Sequence, residues 1–257
     1  MTLDSDLITI DNDEFHHIVN VFRLKVGDSI SFTNGKGLLS KGVIKEITKK
    51  KITINITEHI DTNPSETKIA CAFSLIKNKN DLLIVEKLTE LGVQDLFPML
   101  TVNSVKQSKE NTLDKYKKTA INAIKQCDNP FLPYIHTVSN LELVIKKMIE
   151  LDYIPIVASE LKPESTLISI FQKPETRNLT PNLLPSTFRL PPSYAILIGP
   201  EGGFDKSEYD LFDRYKIPQI SLGNNILRAE TAAICAVSQM ILLKLQKPIN
   251  STEGDIS

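Results

Sequence analysis

The chain has 257 residues, of which 41% are hydrophobic and 24% are charged, and its formal net charge is −1. This is the composition of an ordinary soluble globular protein that is long enough to bury a substantial core. The sequence contains no apolar run of membrane-spanning length and no secretory pattern at its start, so we expect no membrane segment. Three widely spaced cysteines argue against a disulfide framework and indicate the reducing cytoplasm.

The first part of the chain, up to about residue 60, alternates apolar and polar side chains with period two, which predicts strands. The clearest strand patterns lie at residues 30–33, 42–47 and 51–56. The pair Asn34-Gly35 is a strong hairpin signal, and residues 14–24 have the apolar spacing of one helix. Short strands with glycine turns predict a small β-barrel.

A polar segment at residues 61–67 follows, and we interpret it as a linker. From Lys68 onward, strand and helix patterns alternate, which predicts a parallel sheet with helices on both faces. The predicted strands are at 69–76, 95–100 and 153–158, and the predicted helices at 80–91, 112–126 and 141–150.

Prolines crowd the stretch from residue 161 to residue 192, so we predict a long surface excursion without regular structure there. The polar residues 248–257 are predicted to be a disordered tail.

Two strand-loop-helix units follow the excursion. Tyr194 begins an apolar run that is cut by glycines and a proline, and residues 205–208 have the spacing of a helix capping box. A second short strand at 219–222 turns at Gly223, and a long helix begins near Arg228. Both loops are expected at the edge of the sheet where ligands bind in open α/β folds.

The two loops lack the glycine spacings of phosphate and dinucleotide loops. A carboxylate at Glu201 would also repel a phosphate, so the first loop suits a neutral or cationic ligand better. The glycines alone fit an ordinary pair of strand-to-helix turns equally well.

Residues 198–204 read Ile-Gly-Pro-Glu-Gly-Gly-Phe, and residues 221–232 read Ser-Leu-Gly-Asn-Asn-Ile-Leu-Arg-Ala-Glu-Thr-Ala. Together they resemble the SPOUT methyltransferases, most closely the ribosomal RNA small subunit methyltransferase E family, which methylates N3 of a uridine in small-subunit (16S) ribosomal RNA. The resemblance implies a PUA-like, RNA-binding β-barrel at residues 1–66 and a trefoil-knotted SPOUT domain at 67–247. It also implies a homodimer, for which the helix at 229–245 is a candidate packing surface.

The cofactor implied by the resemblance is S-adenosyl-L-methionine, bound by residues of both loops. The implied cofactor residues are Leu197, Ile198, Gly199, Pro200, Glu201, Gly202, Gly203, Ser221, Leu222, Gly223, Ile226, Leu227, Arg228, Thr231 and Ala232. No metal is expected, because the four histidines have no ligand spacing.

Arg228 and Glu230 are the candidate catalytic residues. A fixed cation at Arg228 would favour the uracil anion that forms as N3 loses its proton. The alternative is a structural arginine that pairs with Glu201 or Glu230. Glu230 is either the base or a first-turn acid that matches the helix dipole.

The resemblance also implies RNA contacts, which we assign to His17, Arg23, Lys77, Lys87 and Lys106. Arg23 is the strongest candidate because guanidinium binds phosphate well, and its alternative is an ordinary surface arginine. A wider lysine cluster fits either a phosphate backbone or a solvated helix face; its members are Lys106, Lys109, Lys115, Lys117, Lys118 and Lys125. Family members often carry arginines at positions that are Asn103 and Asp128-Asn129 here. The alternatives are therefore a SPOUT enzyme with another RNA target, or a non-catalytic RNA-binding protein of ribosome assembly.

Overall fold

The computed structural model describes residues 7–11, 15–104, 108–159, 161, 164–172 and 193–245. They form two compact units. The first unit contains the described residues up to Pro64 together with Ala120–Leu132, and the second contains the others. Within the described ranges, no helix is long and apolar enough to cross a membrane.

The first unit is built on an antiparallel sheet, which confirms the predicted β domain. Its strands pair in the order β1-β4-β3-β2, with bounds β1 (Leu7–Asp11), β2 (Ser29–Thr33), β3 (Leu38–Ile47) and β4 (Lys51–Asp61). A Cβ added to Gly42 would lie 2.5 Å from Cγ2 of Ile54, so the close approach of β3 to β4 requires glycine at this irregular register. Ile44, Ile52 and Ile54 are buried on the core face.

The helix predicted at residues 14–24 is shorter than expected. Residues 15 and 16 are helical, and a π-helical turn then runs from His17 to Val21. The apolar residues Phe15 and Ile18 are nevertheless buried in the core of this unit, as their spacing predicted.

The second unit is built on a parallel sheet of seven strands, as predicted. The strand order is β11-β9-β10-β5-β6-β7, and β8 also pairs with β6. The bounds are β5 (Ile69–Ser74), β6 (Asp95–Leu100), β7 (Tyr134–Ile135), β8 (Ser139–Asn140), β9 (Tyr153–Ala158), β10 (Ser193–Ile198) and β11 (Gln219–Ile220).

Helices cover both faces of this sheet. Their bounds are α1 (Asn80–Glu90), α2 (Thr112–Gln126), α3 (Leu141–Glu150), α4 (Leu167–Gln172), α5 (Lys206–Arg214) and α6 (Ala229–Leu245). Val144 of α3 and Phe212 of α5 share one core with Ala72, Phe97 and Leu197 of the strands. Helix α6 packs on β5, β10 and α1. It covers the other face of the sheet, because successive residues of a strand point to opposite faces.

The absence of regular structure predicted for residues 161–192 is wrong for Leu167–Gln172, which form α4. Thr166 starts this helix: its Oγ1 accepts a hydrogen bond from the Ser169 backbone N–H at 3.2 Å, and Ser169 Oγ accepts one from the Thr166 N–H at 3.0 Å. Leu167 and Ile170 are buried, so a short proline-free stretch finds apolar partners. The rest of the predicted excursion, residues 173–192, and the predicted tail at 248–257 lie outside the described residues.

Candidate active site

Two glycine-containing loops leave the same edge of the parallel sheet. One follows β10 and the other follows β11, and the loops after β5, β6 and β9 leave this edge as well. Strand β10 lies between β9 and β5, and from this point of the sheet β11 lies in one direction and β6 in the other. In open α/β sheets, a ligand-binding crevice forms where the strand order reverses in this way. This is the edge at which the sequence analysis predicted both loops.

The first loop, residues 199–205, presents bare backbone at the surface. Leu197, Ile198 and Pro200 are buried and fix its start, whereas Glu201, Gly202 and Gly203 are exposed. The Gly203 N–H donates to the Pro200 carbonyl at 2.9 Å, which closes a turn with Gly203 at φ 70°, a left-handed conformation that favours glycine.

Two contacts from neighbouring loops anchor the first loop. The Lys77 backbone N–H donates to Glu201 Oε1 at 3.2 Å, so the Glu201 carboxylate is held by the loop after β5. Asn103 Nδ2 donates to the Gly203 carbonyl at 3.1 Å and to the Gly202 carbonyl at 3.4 Å. Asn103, which stands where an arginine was expected, therefore shapes the glycine loop.

The helix after the first loop starts with the predicted capping box. Asp205 Oδ1 accepts from the Ser207 N–H, and Glu208 Oε2 accepts from the Asp205 N–H at 2.8 Å. The second oxygen of the buried Glu208 side chain, Oε1, accepts from the Val102 N–H at 3.0 Å. One carboxylate thus joins the start of α5 to the loop after β6.

The second loop, residues 221–228, encloses a cavity of about 280 Å³ together with the end of β9. Its turn is closed by Ser221, whose Oγ donates to the Gly223 carbonyl at 2.9 Å and accepts from the Gly223 N–H at 3.3 Å. The cavity is lined by Ala158, Ser159, Ser221, Leu222, Gly223, Asn224, Asn225, Ile226, Leu227 and Ala232. None of these side chains carries a formal charge.

The predicted catalytic residues follow this loop directly. Arg228 is exposed and precedes α6, and Glu230 lies in the first turn of that helix. Glu230 Oε1 accepts a hydrogen bond from Asn80 Nδ2 at 3.1 Å, which ties it to the start of α1. Among the residues that the structure describes, Arg228 forms no ion pair with Glu201 or Glu230.

Family comparison determines the class of this protein. A family described as an RNA methyltransferase domain matches residues 63–241, and one described as an RNA methyltransferase PUA domain matches residues 10–57. The chain belongs to this RNA methyltransferase family. Both loops of the methyltransferase lie in the first match, and Arg23 lies in the second.

Individual relatives match this methyltransferase along most of its length. A ribosomal RNA small subunit methyltransferase E from Rickettsia conorii is 29% identical over 230 residues, or 89% of this chain and 86% of the relative. The Bacillus subtilis protein of the same name is 27% identical over 241 residues, with coverage of 91% and 90%. The crystal structure of a ribosomal RNA small subunit methyltransferase E from Neisseria gonorrhoeae, bound to S-adenosyl methionine, has the same fold: the TM-score is 0.74 at 20% identity, with 92% of each chain covered.

The structure separates the predicted cofactor residues into two groups. Ser221, Leu222, Gly223, Ile226, Leu227 and Ala232 line the cavity. The residues of the first loop, Leu197, Ile198, Gly199, Pro200, Glu201, Gly202 and Gly203, do not line it, and neither do Arg228 and Thr231.

The predicted RNA-contacting residues of the methyltransferase differ in their surroundings. Arg23 is exposed and has a left-handed backbone at φ 55°. Lys77 is exposed at the edge that carries the loops. Lys87 forms ion pairs with Glu86 at 2.7 Å and Glu90 at 2.8 Å, and hydrogen bonds to these two carboxylates raise its pKa to about 12. Lys106 and the side chain of His17 lie outside the described residues.

Sequence reasoning missed Asn80 and Asn103, which position site residues, and Ser159, which lines the cavity. The one available signal was their position, since each lies at or just past the carboxyl end of a strand or at the helix start that follows. Among the described residues, no group of three or more histidine, cysteine or acidic side chains is gathered as a metal site requires.

A polar cluster lies at the opposite edge of the same sheet, where β6 and β9 begin. Asp95 Oδ1 pairs with His136 Nε2 at 2.7 Å, and Asp95 Oδ2 accepts from the Tyr153 hydroxyl at 2.5 Å. Burial disfavours ionisation of Asp95, but the hydrogen bonds from His136 and Tyr153 outweigh it and lower the pKa of the carboxyl. The His136 ring stacks on Phe97, with centroids 3.9 Å apart.

Proposed function

We propose that this methyltransferase transfers a methyl group from S-adenosylmethionine to N3 of a uridine in small-subunit ribosomal RNA. The observation that carries the proposal is the cavity of about 280 Å³ whose lining loop leads directly into Arg228 and Glu230. A ligand site, a permanent cation and a carboxylate suited to proton transfer are therefore continuous in the chain. The named relatives, which match about nine-tenths of the chain, support the same substrate.

The residues of the cavity fit the adenosine part of the cofactor. The cavity volume is close to the lower end of the volumes found for small-molecule sites. The cavity lining combines apolar side chains with hydroxyl and amide groups. A Cβ added to Gly223 would meet nothing within 4 Å, so a ligand has room to approach that backbone. Because none of the lining side chains is charged, none of them repels the positively charged sulfonium. We propose that the loop at 199–203 completes the site.

When bound, S-adenosylmethionine supplies an already activated methyl group on its sulfonium sulfur. The chain therefore has to bind, align and exclude water, with little covalent chemistry of its own. The acceptor needs more help, because N3 of uracil is a weak acid whose proton must leave as the new bond forms. Arg228 supplies a permanent positive charge that stabilises the uracil anion formed when N3 loses its proton.

Glu230 is the proposed acceptor of the N3 proton. The hydrogen bond from Asn80 holds one of its oxygens at the start of α6, beside the second loop. The competing role, a carboxylate that matches the dipole at the start of α6, predicts an effect on stability and none on the reaction rate.

We further propose that residues 1–66 form the RNA-binding domain and residues 67–247 the catalytic domain. The proposed RNA contacts are His17, Arg23, Lys77, Lys87 and Lys106. A substrate that is part of the ribosome places the enzyme in the cytoplasm. A homodimer is proposed on the basis of α6, where Leu242 is 59% exposed, and its mass in solution is measurable by light scattering.

Mass spectrometry of nucleosides tests the activity. The purified protein is incubated with S-adenosylmethionine and small-subunit ribosomal RNA from a strain that lacks the gene, and the digested RNA is analysed for 3-methyluridine. We expect 3-methyluridine to appear at one position. Another methylated nucleoside would assign a different target, and RNA binding without methylation would favour a non-catalytic assembly protein.

A further inference from the structure

Helix α2 carries exposed lysines that do not belong to the candidate active site. Lys115, Lys117 and Lys118 are all exposed, and they lie within one turn of each other near the start of the helix. Lys115 and Lys118 are three residues apart, so they share one face and are separated by about 4.5 Å along the axis.

The inward side of this part of α2 is fixed by Tyr116. Its side chain is 1% exposed, and its hydroxyl donates to Asp81 Oδ2 of α1 at 2.6 Å. Two residues apart on a helix are about 200° apart around the axis, so Lys118 lies nearly opposite Tyr116. The lysine side chains are therefore held at the surface by a buried anchor on the same turn.

Lysines on α1 and α3 are paired with acids of their own helix. Lys146 pairs with Glu142 at 2.9 Å and Lys147 with Glu150 at 2.8 Å on α3, and Lys87 has two such partners on α1. In the described part of the chain, Lys115, Lys117 and Lys118 have no ion pair. Thr112–Gln126 contains a single acid, Asp114, against four lysines, so most of its lysines have no acid on their own helix.

We propose that Lys115 and Lys118 form a contact surface for the phosphate backbone of the RNA substrate. This proposal rests on the proposed function and adds to it a place where the RNA is held away from the reacting base. Unpaired ammonium groups attract phosphate more strongly than paired ones, since a paired lysine has its charge already neutralised by a carboxylate. Their binding releases counterions, which makes affinity depend on salt.

The chain supplies a matched control for this surface. The double variants K115A/K118A and K146A/K147A each remove two lysines from an exposed helix face, but only the first removes unpaired charges. Binding of each variant to a transcript of small-subunit ribosomal RNA is measured by fluorescence anisotropy over a range of salt concentrations. S-adenosylmethionine affinity and circular dichroism are recorded for both variants, and both are expected to equal those of the wild type.

We expect K115A/K118A to reduce the slope of log affinity against log salt by about 1.5 and to weaken binding by about tenfold at low salt. K146A/K147A is expected to change affinity less than twofold. The variant K115R/K118R keeps both charges and is expected to keep the slope.

Two negative results have different meanings. A wild-type protein that neither binds nor methylates the transcript would overturn the proposed function, and this inference with it. A wild-type protein that binds and methylates, combined with an unchanged salt slope in K115A/K118A, would overturn the lysine surface alone and make it a solvated helix face.

Discussion

The Asn80 side-chain amide donates a hydrogen bond to the Glu230 carboxylate, with Nδ2 and Oε1 3.1 Å apart. Asn80 begins α1 and Glu230 lies in the first turn of α6, so the contact joins two helices that pack on each other. Asn80 therefore acts as a positioning residue, because it sets the direction in which the Glu230 carboxylate faces.

Replacing either partner of this pair is expected to slow methylation to different extents. Glu230→Ala should reduce the single-turnover rate by about 100-fold if Glu230 accepts the proton. Asn80→Ala should reduce it by roughly 3- to 10-fold, because the carboxylate remains but is less well oriented. The measurement is made at saturating cofactor and RNA, with the melting temperature as control. A normal rate in Glu230→Ala, with a lowered melting temperature, would assign Glu230 to the helix dipole.

Gly203→Val is expected to abolish S-adenosylmethionine binding while the protein stays folded. The residue has φ 70°, so a side chain costs about 1–3 kcal/mol of backbone strain, and it would occupy space at the ligand edge. Gly92→Val is the matched control, because Gly92 has φ 75° and equally open surroundings at the end of α1. Calorimetry should find cofactor binding lost in the first variant and retained in the second. Equal affinities would remove the glycine loop from the cofactor site.

Arg228→Ala is expected to lower the single-turnover rate by about 100- to 1,000-fold, as the loss of one preorganised donor does elsewhere. Arg228→Lys keeps the charge but loses the planar fork, so it should restore only part of the rate. The melting temperature should stay near that of the wild type, because within the described residues Arg228 has no ion pair to lose. A fully folded Arg228→Ala protein with the wild-type rate would exclude the catalytic role.

Arg23 allows charge and backbone strain to be separated. Its φ of 55° is strained for any side chain, so Arg23→Gly relieves the strain and Arg23→Ala retains it. Both variants should lose the same RNA affinity, with a salt slope lower by about one contact. Arg23→Gly should have the higher melting temperature of the two. Salt slopes that match the wild type in both variants would make Arg23 an ordinary surface residue.

Stability below neutral pH should depend on Asp95. Its pKa is lowered in the folded protein, so it contributes stability above the pKa of an unfolded aspartate, near 4, and this contribution is lost as the pH falls through the folded value. Urea unfolding of wild type and Asp95→Asn should show a gap in unfolding free energy that narrows as the pH falls below about 4. A gap that stays constant down to pH 3 would mean that the carboxylate charge contributes nothing.

Local pattern was enough to locate most elements of the second unit. Strand β6 and helix α3 lie at the predicted residues, because their apolar periods are complete within the segment. Strands β7 and β8 were missed, since two residues are too short to show a period. The π-helical turn was missed as well, because apolar spacing does not distinguish it from an α-helix.

The candidate site divides in the same way. The two loops were found from their own residues, and the family resemblance supplied their role. The bond from Asn80 to Glu230 spans 150 residues of sequence, and that from Asn103 to Gly203 spans 100. No local pattern encodes such pairs, because the sheet that brings them together is assembled from distant segments.

The double use of Glu208 restricts how relatives of this protein can diverge. Both of its oxygens accept from backbone N–H groups, one at Asp205 and one at Val102. A glutamine offers a single acceptor oxygen and would leave one of these N–H groups without a partner, while an aspartate is too short to reach both. We therefore expect relatives of this protein to keep glutamate at position 208. Glu208 would then vary as little as a catalytic residue, although it takes no part in the reaction.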